Sequence, residues 1–190
     1  MNVGRLACGI VLLAATAFAS AEPGYVRLLP EKSQVQFVSK QMGVPVEGRF
    51  GKFSAKVAFD PRKPEEGSIQ LHIDTGSASL GVPQSDAELP KPAWFDSVKF
   101  PQASFSSTAI KGLGYGRVEV AGRLTIKGHT HDVVVPLTIT QAGGLSVGSG
   151  SLAIQRLAFK VGDGEWADTS LVANDVLVRF KFTLSGLAPL

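Results

Sequence analysis

The sequence has little cysteine, little charge and, after residue 18, no long apolar run. Each of these shortages excludes a class of protein. Its single cysteine, Cys8, lies near the start of the chain, so the remainder offers neither a disulfide nor a thiol nucleophile. Charged residues make up 18% of the chain and hydrophobic residues 44%, against roughly 25% charged residues in an average soluble domain. This balance excludes a disordered chain, a coiled coil and a protein that binds nucleic acid by charge alone.

The first residues have the pattern of an export signal. Arg5 supplies a positive charge, Leu6 to Phe18 form an apolar run, and Ala19-Ser20-Ala21 has the small residues of a cleavage site. The apolar run is shorter than the roughly 20 residues that span a bilayer, so we expect cleavage rather than anchoring. Residues 1–21 are therefore predicted to be a cleavable signal peptide, removed after Ala21, and residues 22–190 a single exported domain.

Alternation of apolar and polar residues with period two dominates the rest of the chain and predicts half-buried β-strands. Eight segments show it, most clearly residues 175–184, where valine, phenylalanine and leucine occupy every second position. Short turns containing glycine or aspartate separate the segments, which favours antiparallel neighbours. Such strands bury one face by packing as two sheets or by closing into a barrel, whose interior holds side chains or one small ligand. The apolar positions change parity across Gly148-Ser149-Gly150, which predicts a β-bulge or a barrel corner.

One segment between Leu80 and Pro101 does not alternate. It contains Ser85-Asp86-Ala87-Glu88, the pattern of a capping box in which Ser85 caps the amide of Glu88. Prolines then end the helix after about one turn, and Trp94 and Phe95 follow. We expect a short helical insertion at about residues 84–97 that covers one end of the barrel as a lid or plug.

The residues that could carry catalysis are sparse, and the sequence predicts a protein that is not an enzyme and has no metal site. Gly144-Leu145-Ser146-Val147-Gly148 matches the elbow of serine hydrolases, but a strand pattern follows it where a helix is required. We therefore expect a hairpin there. His129 and His131 could share a metal, yet two ligands make a weak site, and two solvated histidines beside a turn are the better interpretation.

Several short motifs, in this order, resemble the YceI-like family of bacterial periplasmic proteins. The resemblance covers about residues 25–187. Its motifs are Ser33-x-Val35-x-Phe37, Gly48-Arg49-Phe50-x-x-Phe53, Phe59-Asp60, Trp94-Phe95-Asp96, Phe100-Pro101-x-Ala103-x-Phe105, Gly122-x-Leu124-Thr125-Ile126-x-Gly128-x-Thr130 and Arg156-x-x-Phe159.

The resemblance implies an all-β fold, a closed eight-stranded antiparallel lipocalin-like β-barrel with the short helical insertion. It also implies that the barrel binds an isoprenoid lipid, either a polyisoprenoid or an isoprenoid quinone, in an apolar tunnel. The lipid would be stored, transported or shielded in the periplasm, with no cofactor besides this ligand. A quinone or diphosphate head would lie at the mouth near Trp94.

Alternation and resemblance together predict which side chains contact the lipid. They are the inward-facing apolar residues of the strands and two aromatic residues of the insertion: Val35, Phe37, Phe59, Leu71, Ile73, Trp94, Phe95, Phe105, Leu124, Ile126, Val135, Leu137, Ile154, Val178, Phe180 and Phe182.

A second interpretation gives the barrel another role. Trp94-Phe95 resembles the branch of the family found beside membrane b-type cytochromes, so the chain could serve such a cytochrome, or a stress response, as a docking scaffold. That interpretation predicts an interior filled by side chains and a contiguous apolar surface patch. The resemblance also leaves a homodimer open, and it implies no nucleic-acid partner.

Overall fold

The computed structural model describes residues 26–190 and shows a nearly all-β protein with one short α-helix. The predicted signal peptide lies outside these residues. The helix α1 spans Pro83–Glu88. The strands are Arg27–Leu28 (β1), Gln34–Gln41 (β2), Val44–Phe50 (β3), Phe53–Ala58 (β4), Ser68–Asp74 (β5), Ala78–Ser79 (β6), Gln102–Gly114 (β7), Arg117–Ile126 (β8), His129–Ala142 (β9), Leu145–Gln155 (β10) and Asp175–Ser185 (β11).

The strands form one antiparallel sheet in the order β4-β5-β7-β8-β9-β10-β11-β2-β3-β6, with β1 paired to β11. The hydrogen-bonded path therefore ends at β4 and β6. The chain itself runs from β3 into β4 through Gly51 and Lys52, where Gly51 N–H donates to Ser77 O and Asp74 N–H donates to Lys52 O. The predicted all-β antiparallel class is confirmed, whereas closure as an eight-stranded barrel is not.

The sheet has eleven strands rather than the predicted eight, for two physical reasons. β1 and β6 are only two residues long, which is too short for alternation to show. β3 was missed because Pro45 and Gly48 interrupt its apolar positions. Gly48 is nevertheless required there, since a Cβ on it would lie 2.2 Å from the ring of Phe37 on β2.

The β-bulge predicted as one alternative at Gly148–Gly150 is wrong. β10 pairs with β11 in unbroken register from Leu145 to Gln155, and Gly148, Leu152 and Ile154 all face the interior. Leu145 and Val147 therefore lie on the other face of the strand, which the sequence pattern assigned to the core. Register shifts occur instead between β7 and β8, on either side of the Ala109–Gly112 segment.

Four connections meet at one end of the sheet, which we call the upper end. They are the β2–β3 turn, residues 80–101 with α1, the β8–β9 turn, and residues 156–174 between β10 and β11. Antiparallel pairing places them together because the strands alternate in direction. Residues 80–101 form the predicted insertion, and its helix ends at Glu88, before the prolines that were predicted to end it.

The predicted capping box does not form. Helix α1 begins after Val82 with Pro83 in its first turn, and no side chain caps it. The carboxylate of Asp86 instead accepts hydrogen bonds from Leu80 N–H and from Ser79 Oγ. Proline at the start already removes an N–H that would need a cap. Within residues 26–190, no helix is long and apolar enough to cross a membrane.

Candidate functional site

The curled sheet surrounds an apolar cavity of about 240 Å³. Every residue that the sequence predicted to contact lipid lines this cavity. The strand residues reach it because alternate side chains of a β-strand point to the same face, and Trp94 and Phe95 reach it from the insertion. The geometry therefore brings the whole predicted set together, while their contact with a lipid remains a prediction.

Further residues line the cavity that the prediction did not include. Ala55, Val57, Ile69, Val118 and Val120 have the inward parity of their strands, so the same alternation could have found them. Others come from β1, from β3 or from connections without alternation, and no sequence pattern marks them. They include Leu28, Phe50, Leu89, Phe159 and Val161.

Aromatic rings cover the cavity at the upper end. The ring centroids of Phe37 and Phe50 are 5.4 Å apart, and those of Phe50 and Phe95 are 5.7 Å apart in an edge-to-face arrangement. Trp94 packs on Trp166 with centroids 5.5 Å apart. Such pairs add roughly 0.5–1.5 kcal/mol each beyond the burial of their area. The insertion is thereby joined to the 156–174 connection and to β3, whose Phe50 also packs on Phe37 of β2.

The backbone fixes the insertion against the 156–174 connection. The N–H groups of Gly162 and Asp163 both donate to Ala93 O, at 2.8 and 3.0 Å. Gly162 has a φ of +69°, and a Cβ there would lie 3.0 Å from the Trp94 ring and 2.5 Å from Arg156 Nη1. Only glycine fits both the left-handed backbone and this close approach.

Arg156 is the one charged residue among those that line the cavity in the described part of the chain, and it is only 3% exposed. All five of its N–H donors are used. They bind the carbonyl oxygens of Ala173, Val161, Gly162, Trp166 and Val172.

Burial lowers the pKa of the Arg156 guanidinium from its ordinary value, yet an arginine in a protein stays protonated at neutral pH. The five carbonyl dipoles therefore solvate a positive charge that has been removed from water. The sequence analysis quoted Arg156 only as part of a motif. A single arginine gives no sign of such a role, because its partners are backbone atoms.

Two other polar atoms beside the cavity have no hydrogen-bond partner within residues 26–190. They are Ser39 Oγ and Trp94 Nε1, and both atoms are buried. Ser39 continues the inward row of Val35 and Phe37 on β2, toward the upper end. Buried polar groups are usually hydrogen-bonded, so these two atoms are exceptions.

The side chains considered for catalysis are held in ordinary structural roles. Ser146 lies in the β9–β10 hairpin, as predicted, and its buried Oγ accepts a hydrogen bond of 3.0 Å from Gln141 Nε2. His131 Nε2 lies 3.0 Å from Ala158 O, and its ring packs edge-on against Phe159. Among residues 26–190, no group of three or more His, Cys, Asp or Glu side chains is arranged to hold a metal ion.

Comparison with known proteins gives consistent results. The chain aligns with BcnA of Burkholderia cenocepacia at 46% identity and a TM-score of 0.80, covering 82% of this chain and 98% of that one. It is similar to a polyisoprenoid binding domain from Saccharophagus degradans in fold, with a TM-score of 0.70 at 19% identity over 87% of this chain and 99% of that one.

Sequence relatives show the same relationship. A UPF0312 protein of Pseudomonas savastanoi pv. phaseolicola is 30% identical over 146 residues, which are 75% of this chain and 74% of that protein. The model of the YceI-like domain matches residues 27–184. The resemblance stated from the sequence motifs is thus confirmed, and the chain belongs to the YceI-like family.

Proposed function

We propose that this protein binds one isoprenoid lipid, a polyisoprenoid or an isoprenoid quinone, in its cavity. The observation that carries the proposal is a cavity of about 240 Å³ whose exposed lining is apolar. The fold it shares with a polyisoprenoid binding domain supports the same conclusion. Arg156 is the only charged side chain that residues 26–190 contribute to the wall, and all its donors are engaged, so the wall favours a hydrocarbon ligand.

Hydrocarbon burial is sufficient for tight binding. Each carbon group removed from water contributes about 0.8 kcal/mol, so one isoprene unit contributes roughly 3–4 kcal/mol before ordering costs. A few units inside the cavity therefore retain a lipid without a charged contact. The proposed role is to bind and shield the lipid, with no chemical step.

The cavity also bears on the second interpretation. A scaffold that only docks on a membrane b-type cytochrome predicted an interior filled by side chains. The unfilled apolar space favours lipid binding over that scaffold. We therefore retain a membrane b-type cytochrome and a second copy of this chain only as proposed partners of the lipid-loaded protein.

We further propose that the lipid is stored, transported or shielded in the periplasm. The support is the export pattern of residues 1–21 together with the chemistry of the ligand. A long prenyl chain needs an apolar enclosure to cross an aqueous compartment. Fractionation of cells that express the full chain, followed by mass measurement of the product, tests both export and cleavage after Ala21.

The binding experiment uses protein isolated from the periplasm without detergent. Organic extraction and mass spectrometry are expected to find a prenyl lipid in near-stoichiometric amount, and stripped protein is expected to take up an added isoprenoid quinone or polyprenol. Absence of prenyl lipid from the extract, combined with no uptake of either probe, would refute lipid binding.

A further inference from the structure

Two arginines flank an open groove of about 570 Å³ on the outer face of the sheet, opposite the face that lines the cavity. Arg117 begins β8 and Arg179 lies on β11, and both side chains are exposed. Neither forms an ion pair with a carboxylate of residues 26–190. The two cations therefore remain available to a partner outside the chain.

The strand register explains why a groove forms between the two arginines. In one row across the sheet, Arg117 lies opposite Thr138, which lies opposite Ser149. In the adjacent row, Ser151 lies opposite Arg179. The side chains between the cations are thus short and carry hydroxyl groups. Because β8 and β11 are three strand spacings apart, the Cα atoms of the arginines are on the order of 15 Å apart.

The charge around the groove is mostly positive. Lys181, which is exposed on β11 and lies opposite Ser149, adds a third cation beside the groove. The nearest carboxylate along β8 is that of Glu119, and Lys111 of β7 lies opposite it. A guanidinium group binds phosphate oxygens through two parallel hydrogen bonds, and hydroxyl groups can donate further ones. The chemistry of the groove therefore fits phosphate groups.

The β7–β8 turn beside the groove carries exposed apolar surface. Tyr115, in this turn, is 98% exposed, and Leu113, which lines the groove, is 44% exposed. Tyrosine is enriched where membranes meet water, because its ring is apolar and its hydroxyl is polar. Basic residues near a membrane are attracted to its anionic lipids. The turn and the groove together offer both features.

From these observations we infer that the groove and the β7–β8 turn dock on a membrane surface that contains anionic phospholipids. Arg117 and Arg179 bind the lipid phosphates, and the ring of Tyr115 enters the headgroup layer. A second copy of the chain fits the groove poorly, because two copies facing each other there would bring like charges together. This inference goes beyond the proposed function, since it concerns the outer face of the sheet rather than the contents of the cavity.

Cosedimentation with lipid vesicles tests the inference. Vesicles of equal parts phosphatidylglycerol and phosphatidylcholine are expected to bind the protein at least tenfold more tightly than phosphatidylcholine alone. This preference should disappear when salt shortens the Debye length to about 3 Å. Equal binding to both compositions, or binding to neither, overturns the inference.

Two further measurements separate this inference from its alternatives. Glycerol phosphate, added at the concentration of the vesicle phosphate, should leave vesicle binding unchanged. If it abolishes binding, the groove is a site for a small free phosphate and the inference is wrong. Uptake of an isoprenoid quinone is measured without vesicles, so that loss of vesicle binding with normal uptake refutes membrane docking and leaves the proposed function standing.

The double variant Arg117→Gln with Arg179→Gln tests the groove itself. Its affinity for phosphatidylglycerol vesicles should fall about 25-fold, or about fivefold for each cation. The matched control is Arg123→Gln with Lys56→Gln, which removes the same charge from two exposed positions, Arg123 lying opposite Asp132 on the same face of β8. The control should match wild type. Equal losses in the two double variants would show general attraction to the charged chain and overturn the assignment to the groove.

The variant Tyr115→Ser tests the turn. Its affinity for phosphatidylglycerol vesicles should fall several-fold while the salt dependence stays as in wild type, because the apolar contact is lost and the cations remain. Unchanged affinity would overturn the role of the turn. Quinone uptake should be normal in every variant, which shows that each one still folds around its cavity.

Discussion

Filling the cavity with a side chain should stabilise the empty protein and prevent it from binding lipid. Gly148 is the position for this test. It lies on β10, is buried and lines the cavity, and a Cβ built on it meets no atom within 4 Å. A leucine there would extend into open apolar space rather than into a packed wall. We therefore predict opposite effects of Gly148→Leu on stability and on lipid binding.

The magnitudes follow from the carbon groups involved. A leucine side chain buries about four carbon groups, worth up to roughly 3 kcal/mol, and replacing a strand glycine adds about 0.5–1 kcal/mol. Allowing for imperfect packing, we expect a gain of about 2 kcal/mol, or about 4–8 °C in Tm. The side chain occupies the space of one isoprene unit, so lipid affinity should fall by about 100-fold or more.

Two measurements on stripped protein check this prediction: a thermal melt, and uptake of an isoprenoid quinone. Gly148→Ala should give small changes in the same directions. Ser149→Leu, which places the same side chain on the exposed face of β10, should leave quinone uptake unchanged. A lower Tm for Gly148→Leu would show that the space is already filled. A higher Tm with undiminished uptake would show that lipid binds elsewhere.

The other predictions concern the polar groups that hold the upper end together. Arg156→Lys should cost about 3–5 kcal/mol in urea unfolding, because three donors cannot serve five carbonyls, and wild-type stability in the variant would refute this role. Gly162→Ala should cost about 1–3 kcal/mol, because it forces a Cβ into a left-handed backbone and onto Arg156 Nη1; an unchanged melt would contradict this. Hydrogen bonds from Leu80 N–H and Ser79 Oγ–H lower the pKa of Asp86, so its stabilising contribution is present at neutral pH and is lost as the pH falls through that lowered pKa. Asp86→Asn should therefore destabilise the protein at pH 7 and converge with wild type as the pH falls below that lowered pKa, and a difference in unfolding free energy that stays constant on acidification would contradict it.

The sequence pattern predicted the strands wherever one face is apolar and the other polar. Val178, Phe180 and Phe182 on β11 could be placed on the cavity wall because a strand repeats every two residues. The same rule fails on β10, where Gly148 faces inward and Val147 faces outward. Because Gly148 has no side chain, the cavity stays open beside it. A hydrophobicity pattern cannot identify an inward-facing position that carries no side chain.

Contacts made by backbone atoms could not be predicted from the sequence. The interaction of Arg156 with five carbonyl groups depends on how the 156–174 connection folds around it. Because every residue type has a backbone carbonyl, no residue in the sequence marks these partners. The prediction of a capping box for helix α1 was wrong for a related reason. Ser85 and Glu88 have the right spacing for a capping box, but Pro83 starts the helix and Asp86 is held by Ser79 and Leu80. Local spacing was overridden by a tertiary contact.

The cavity is also a thermodynamic cost that the bound lipid offsets. At about 24 cal/mol per Å³ of cavity, the 240 Å³ space destabilises the empty protein by about 6 kcal/mol relative to a filled interior. A ligand that binds only the folded chain restores stability in proportion to its affinity and concentration. The leucine of Gly148→Leu and the lipid compete for the same space and therefore for the same stabilisation. Consequently, added quinone should raise the Tm of wild-type protein strongly and that of the variant only slightly, because the variant already holds part of the hydrocarbon that the ligand would supply.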